Sequence, residues 1–185
     1  MEYNNLVPYL RKLAKNLDEL VGEDIRCSVL KDCETITSKT NKVKRAQMMK
    51  EIMIRMDKLI DKDAAIKIRE NCACKPKVFL KTSIDIYEKY PNIEDYISEL
   101  QKTHYAGKLK IEDNVIACNF GSGKCVCGMV KSAKEAIPIL WCECCKGHVK
   151  WLFEGTFKKT LKVEMISSIV SGSDDCRFNI YLEEK

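Results

Sequence analysis

No stretch of this chain is apolar for long enough to cross a bilayer. The longest apolar run, around "AIPILWC", is far shorter than the roughly 20 residues a spanning helix needs. The opening "MEYNNLVPYLRKL" lacks the basic-then-apolar layout of a secretory signal. The expectation is a cytosolic protein with no membrane partner. Clustered arginine with interleaved aromatics, the usual mark of a nucleic-acid module, is missing as well. The net charge of +5 comes from 32 basic and 27 acidic residues. The densest basic stretch, "NKVKRAQMMK", is followed closely by acids, so it reads as a solvated helix face. No nucleic-acid partner is expected. No Gly/Ser/Pro linker, repeat or low-complexity segment divides the chain, and its 185 residues read as one domain, 1–185. Phosphate loop, serine elbow and H-E-x-x-H are all absent.

What is present is a core-forming composition, 45% apolar, with a helical pattern in its first half, residues 1–105. Leu6, Leu10, Leu13, Leu17, Leu20 and Val21 recur mostly at three- and four-residue steps, and Gly22 is a fitting stop. The stretch "EDIRCSVLKDCETITSKT" is ambiguous between short helix and loop. A second helix is predicted from Asn41 to Ile60. Its apolar stripe is Ala46, Met49, Ile52, Met53, Met56, Leu59 and Ile60, read as core rather than as a methionine-rich groove. "DKDAAIKIREN" predicts a further short helix, ended before Pro76. "KPKVFLKTSIDIYEKYP" reads as helix up to Pro91. Asn92 is an N-cap for Ile93, Tyr96, Ile97 and Leu100. His104, near the end of that helix, reads as a solvated or satisfied histidine.

The second half, 106–185, is cysteine-rich and mixes strand with helix. "KLKIEDNVIACNF" predicts a hairpin turning at Asp113-Asn114. "GSGKCVCGM" is a loop, "SAKE" a single capped turn before Pro138, and "IPILW" a short strand. A helix is expected from Cys145 to Thr160, with Val149, Leu152, Phe153, Thr156 and Phe157 on its apolar face and Gly155 out of place. "LKVEMISSIV" and "CRFNIYL" flank "SGSDD" as the clearest hairpin, with Cys176, Phe178, Ile180 and Leu182 on one face. The fold class is α+β: a helical N-terminal half followed by an antiparallel sheet with one long helix.

Eleven cysteines are an odd count, and in a reducing compartment they are ligands, reactive groups or core filler rather than disulfide partners. Seven of them form three tight groups: Cys72 and Cys74; Cys125 and Cys127; Cys142, Cys144 and Cys145. Thiolates are the commonest ligands of structural zinc, and two sulfurs on one zinc lie only about 3.8 Å apart. Along a strand, residues two apart have backbone anchors roughly 6.6 Å apart. A C-x-C pair therefore grips one ion most easily where the backbone turns. Gly121, Gly123 and Gly128 supply that freedom around Cys125 and Cys127. Cys142 and Cys145 form a C-x-x-C at a loop-to-helix junction. Fourteen residues lie between Cys127 and Cys142, close to the spacing of a two-knuckle zinc site. Cys125, Cys127, Cys142 and either Cys144 or Cys145 can thus make one four-thiolate site. Cys72 and Cys74 can complete a second site or a shared cluster. Iron–sulfur ligation ranks behind zinc, because the run C-x₂-C-x₂-C is absent. A catalytic reading stands beside the metal one. Cys144 or Cys145 at a helix N-terminus would have a lowered pKa, with His148 one turn away as base or ligand. His148 packed against the tryptophans, or facing solvent, is the alternative.

The stretches "CVCGMV", "WCECCKGHVKWLFE" and "LKVEMISSIVSGSDDCRFNIYL" resemble the vinyl-reductase-type ligand-binding domains. They also resemble proteins similar to L-2-amino-thiazoline-4-carboxylic acid hydrolase. The resemblance covers residues 125–182. It implies helices mixed with an antiparallel sheet, in a fold related to one seen in vesicle-trafficking subunits. Several such domains sense small hydrophobic molecules, and some carry a cysteine-ligated zinc. Position by position it marks Cys125, Cys127, Cys142 and Cys144, with Cys176 near the hairpin; Cys145 stands where a small residue such as serine is expected. The expectation is a zinc-binding sensory or accessory protein that takes a small-molecule ligand, with homodimer formation left open. The alternative is a metal- or cysteine-dependent hydrolase of a small amide or cyclic substrate.

Overall fold

Leucines at helical spacing make the first element, α1, Pro8–Val21. The computed structural model describes residues 6–103, 105–120 and 123–182. His104, Gly121 and Ser122 of the sequence reading lie outside the described residues. Proline sits in the first turn of α1, where its missing N–H costs nothing. Leu10, Leu13, Ala14 and Leu17 are buried, whereas Leu20 is exposed. Gly22 ends the helix at φ 89°, its N–H bonded to the Leu17 carbonyl at 3.1 Å; glycine takes that backbone region without steric cost. The ambiguous stretch beyond it forms α2, Glu23–Val29, and a 3-10 turn at Cys33–Thr35. Arg26 is buried between two carboxylates, Asp18 and Glu23, each at 2.6 Å.

Helix α3, Lys42–Leu59, is capped by Asn41, whose side chain accepts from the Val43 N–H at 2.8 Å. Its methionine stripe is core: Ala46, Met49, Ile52, Met53 and Met56 are all buried. Asp61 caps α4, Lys62–Asn71, by accepting from the N–H groups of Asp63 and Ala64. These helices belong to the first of two compact units, which comprises residues 1–72, 125–144 and 170–172. The strand expected at "IPILW" is instead a 3-10 turn, Ile139–Cys142, with the Trp141 N–H bonded to the Pro138 carbonyl at 2.9 Å. On a strand Ile139 and Trp141 would share a face; Ile139 is 45% exposed and Trp141 fully buried. Burying the indole while leaving Ile139 in solvent requires the helical period.

The second unit comprises residues 73–124, 145–169 and 173–185. It contains α5, Lys77–Lys89, and α6, Ile93–Gln101. Asn92 caps α6 as its sequence predicts, accepting from the N–H groups of Glu94 and Asp95. Strands β1, Lys108–Glu112, and β2, Val115–Asn119, form the expected hairpin. Asp113 and Asn114 both have positive φ, 48° and 61°, as a two-residue turn matched to strand twist demands. Helix α7, Glu143–Phe157, begins two residues earlier than its predicted start and ends before Thr160. Strands β3, Lys162–Ser167, and β4, Arg177–Tyr181, complete an antiparallel sheet of order β1-β2-β4-β3. Opposed pairs such as Cys118–Phe178 and Ile116–Ile180 line its inner face, where they join Val149, Leu152 and Phe153 of α7 in one core. The α+β class is thus the architecture observed. No helix among the described residues is long and apolar enough to cross a membrane.

Two glycines are set by close approach. A Cβ on Gly155 would meet Leu80 Cδ1 at 2.7 Å, which explains glycine inside α7: it lets α5 approach. Gly107 has φ 73°, and a Cβ there would stand 2.5 Å from the Asn119 carbonyl oxygen. Backbone cannot retreat as a leucine methyl can. Gly107→Ala is therefore expected to lower stability by about 2–3 kcal/mol. Urea unfolding checks this, and stability equal to the parent's would mean that the loop is not held in this conformation.

Candidate thiol site

Three thiols of the first unit, Cys72, Cys127 and Cys144, come from distant parts of the chain. Cys72 is the C-cap of α4 and is buried. Cys127 closes the second C-x-C group and is half-buried, and Cys144 stands in the first turn of α7, also half-buried. Burial pushes the Cys72 thiol above its usual pKa; the Arg69 guanidinium opposes this by charge and by hydrogen bonding, Cys144 adds to it, and Lys12 opposes it. Burial likewise pushes Cys127 up. The Met129 N–H lowers it by donating to the sulfur, Cys144 raises it, and the Trp141 indole N–H and Val130 N–H lower it. Cys144 thus acts as a like-charge neighbour on both Cys72 and Cys127.

Each of the three has its own means of carrying negative charge. Cys127 heads a tight turn in which its carbonyl accepts from the N–H groups of Val130 and Lys131 at 3.2 and 2.9 Å. That turn aims two backbone N–H groups at its sulfur. The Trp141 indole N–H, which also favours the thiolate of Cys127, is buried without a hydrogen-bond partner. Cys144 sits at the positive end of α7's dipole. Cys72 has Arg69.

Arg69 was not singled out by the sequence reading, although a signal was there. Ala65, Ile68, Arg69 and Cys72 are spaced i, i+3, i+4 and i+7, and the first three are the buried face of α4. An arginine inside an apolar stripe marks a buried charge. Its Nη1 donates to the Tyr9 hydroxyl and its Nη2 to the Trp141 carbonyl at 2.5 Å. The guanidinium carbon lies 4.3 Å from the Trp141 ring centre and 5.6 Å from that of Tyr9.

The remaining expected ligands are distributed as follows. Cys125 and Cys142 belong to the first unit, Cys142 buried and Cys125 half-buried. Cys74 and Cys145 belong to the second unit. Cys74 is exposed, and Cys145 packs against that unit's core. Among the described residues, no three His, Cys, Asp or Glu side chains are grouped tightly enough to hold a metal ion. His148 donates its Nδ1–H to the Cys74 carbonyl at 2.6 Å, and its ring lies near those of Phe79 and Trp151. Burial lowers its pKa, with the Cys74 carbonyl opposing. Cys33, Cys118 and Cys176 are core residues; the Cys118 thiol donates to the Ala106 carbonyl at 3.1 Å.

The model of a family of unknown function, DUF6144, matches residues 10–185 of the chain. No curated protein matches it. Among solved structures, the chain is similar to an H-NOX domain from Shewanella oneidensis in the Fe(II)CO ligation state, determined by NMR. The identity is 15% and the TM-score 0.42, over 96% of this chain and 98% of that one.

Proposed function

The chain belongs to the family of unknown function DUF6144, and we propose that it is a thiol-based binding protein of sensory or accessory type. Its first unit takes a soft divalent cation, zinc by ligand chemistry, at Cys72, Cys127 and Cys144. What supports this reading is that Cys144 acts electrostatically on both Cys72 and Cys127, and that all three lie in one compact unit although far apart in the chain. Three adjacent thiolates repel one another unless a cation lies among them. Burial keeps Cys72 and Cys127 protonated in the free protein, so a cation must displace protons, and its affinity falls with acid. Among the described residues no three such side chains are grouped tightly enough to hold an ion, so binding requires the thiol side chains to move. The cytosol, where thiols stay reduced, is the setting this chemistry needs.

The small-ligand part of the proposal rests on the resemblance of residues 125–182 to ligand-binding domains. The hydrolase reading has less behind it. With Nδ1 donating to the Cys74 carbonyl, Nε2 is the basic nitrogen of His148, and the ring lies near those of Phe79 and Trp151.

Metal content of protein purified without oxygen and with a reductant tests the reading. About one zinc per chain is expected. Cys72→Ser, Cys127→Ser and Cys144→Ser should each lose it, and Cys27→Ser should keep it. Equal zinc in Cys127→Ser and Cys27→Ser, or no metal in the parent, would sink the proposal.

A further inference from the structure

We propose that the open face of the sheet in the second unit carries a binding cleft for a small organic carboxylate with a short apolar body. The inference does not depend on the metal reading; it gives the small-ligand part of the proposed function a place and a chemical class, and rests on that part alone.

Strand register fixes which side chains share this face. Leu109, Cys118, Phe178 and Ile180 are buried in the core, so the residues alternating with them point outward. Two outward rows cross β1, β2 and β4: Lys108, Asn119 and Arg177 in one, Lys110, Ala117 and Asn179 in the next. Lys108, Lys110, Ala117 and Arg177 are exposed. A register shift between Met165 and Ser167 leaves Ile166 of β3 as an extra residue, 51% exposed. These side chains bound an open cleft of about 390 Å³, within the size range of small-ligand sites.

The cleft is built against local preference. Ala117, Asn119 and Asn179 are poor strand formers, yet they hold outward positions on the two central strands, where β-branched residues fit best. Ala117 lies between Lys110 and Asn179, and one short side chain between two long ones makes the depression. The lining has three cations, Lys108, Lys110 and Arg177, and no carboxylate among the described residues. Lys110 pairs with Glu112, but both are exposed, and such a pair yields readily to a competing anion. Lys108 has no side-chain partner among the described residues. Arg177 is held in place: its Nε donates to Asp175 Oδ1 at 2.7 Å, while Asp175 Oδ2 accepts from the Asn119 amide at 2.8 Å. The two Nη groups make no hydrogen bond among the described residues, and neither does the half-buried Asn179 amide.

A guanidinium edge of two parallel N–H groups matches a carboxylate. Lys108 stands two strands away, roughly 10 Å between backbones, and adds charge from the other side. Ala117 and Ile166 leave an apolar surface for the rest of the ligand. Nucleic acid suits the face less well: Phe178 points into the core, and Tyr181 stands at the far end, opposite Lys162, so bases find no stacking platform.

Phenylacetate is the probe, titrated into the reduced, isotope-labelled full-length protein and followed by backbone amide NMR shifts. Phenylacetamide lacks its charge, and acetate lacks its apolar body. Phenylacetate should bind with a Kd of about 1 mM and move the amides of β1, β2 and β4 most. Acetate and phenylacetamide should each bind about tenfold more weakly. Arg177→Gln should weaken phenylacetate by about tenfold, and Lys108→Gln by about threefold. Lys108 is exposed and unpaired, so its variant keeps the test valid if Arg177→Gln loosens the hairpin. Lys162→Gln removes the same charge at the far end of the face and should bind as the parent does. Ala117→Val fills the cleft and should abolish binding, while its melting temperature equals or exceeds the parent's, since valine is the better strand former. Phenylacetate shifts that lie elsewhere, and persist in Arg177→Gln and Ala117→Val, would overturn this site and leave the small-ligand reading standing. Equal binding of acetate and phenylacetate would reduce the cleft to a cationic surface and overturn the inference. A parent unmoved by phenylacetate would overturn it too, whatever its zinc content.

Discussion

Trp141→Ala is expected to lower the unfolding free energy by about 4 kcal/mol, the middle of the range for removing a large buried aromatic. The indole is fully buried in the first unit. It packs against the Tyr9 ring at 5.1 Å between centres and offers its face to the Arg69 guanidinium. Truncation to alanine opens a cavity beside a buried cation and removes the better of its two ring partners. Both losses act together, since the guanidinium cannot follow a retreating wall and cannot discharge itself. Trp141→Phe keeps a ring face and most of the volume, so its cost should be about 1–2 kcal/mol. It also removes the indole N–H that favours the Cys127 thiolate. Urea unfolding followed by circular dichroism, with a reductant present, compares the two. A loss below about 1 kcal/mol for Trp141→Ala would show that this aromatic sandwich is not part of the folded core.

Alkaline solution should unfold the protein from above about pH 9. Burial pushes the Cys33 thiol from 9.0 up to about 12, and the Cys118 thiol likewise. The Tyr96 phenol rises from 10.0 to about 12, because desolvation outweighs its hydrogen bonds. All three are neutral when protonated, and the folded state holds the proton more tightly than the unfolded chain. Below pH 9 both states are protonated and the stabilisation is fully present. Between about 9 and 12 the unfolded chain releases protons that the folded chain retains, so the balance moves toward unfolding until the folded groups also titrate. Several kcal/mol are lost across that window.

Tyr96 belongs to a hydrogen-bond chain whose direction follows from counting donors. Thr156 uses its one hydroxyl proton on the Leu152 carbonyl at 2.8 Å, so Ser83 must donate to Thr156, and Tyr96 to Ser83, each at 2.7 Å. A phenolate could not donate. Melting temperatures at pH 7, 9, 10 and 11 under reductant read the effect. Cys118→Ala and Tyr96→Phe should each flatten the profile. A profile unchanged in both variants would assign the alkaline loss to other groups.

Much of this fold could be read without coordinates. Helical spacing located α1, α3 and α6, the caps at Asn41 and Asn92 are where their side chains can reach free N–H groups, and Asp113-Asn114 turns the first hairpin. Such features depend on neighbours within a few residues, which is why a linear pattern carries them. The sheet order was less legible. Two hairpins are visible in the sequence, but β4 lies between β2 and β3, and that pairing depends on complementary faces more than fifty residues apart. "IPILW" misled because alternation cannot tell a strand from a single 3-10 turn when only one of its side chains is buried. Gly155 looked like a flaw in α7 until Leu80 was seen against it.

The candidate site divides in the same way. Residue types and local spacing alone determined that this chain is α+β and that seven of its eleven cysteines stand in three tight groups. Only the tertiary structure decided how they are distributed: Cys72, Cys127 and Cys144 fall in one compact unit, while Cys33, Cys118 and Cys176 are buried. It also set an arginine from an apolar stripe beside the first of them. Propensity and period are properties of a few consecutive residues; an electrostatic neighbourhood is made by residues far apart in the chain, and exists only once burial has removed the water between them.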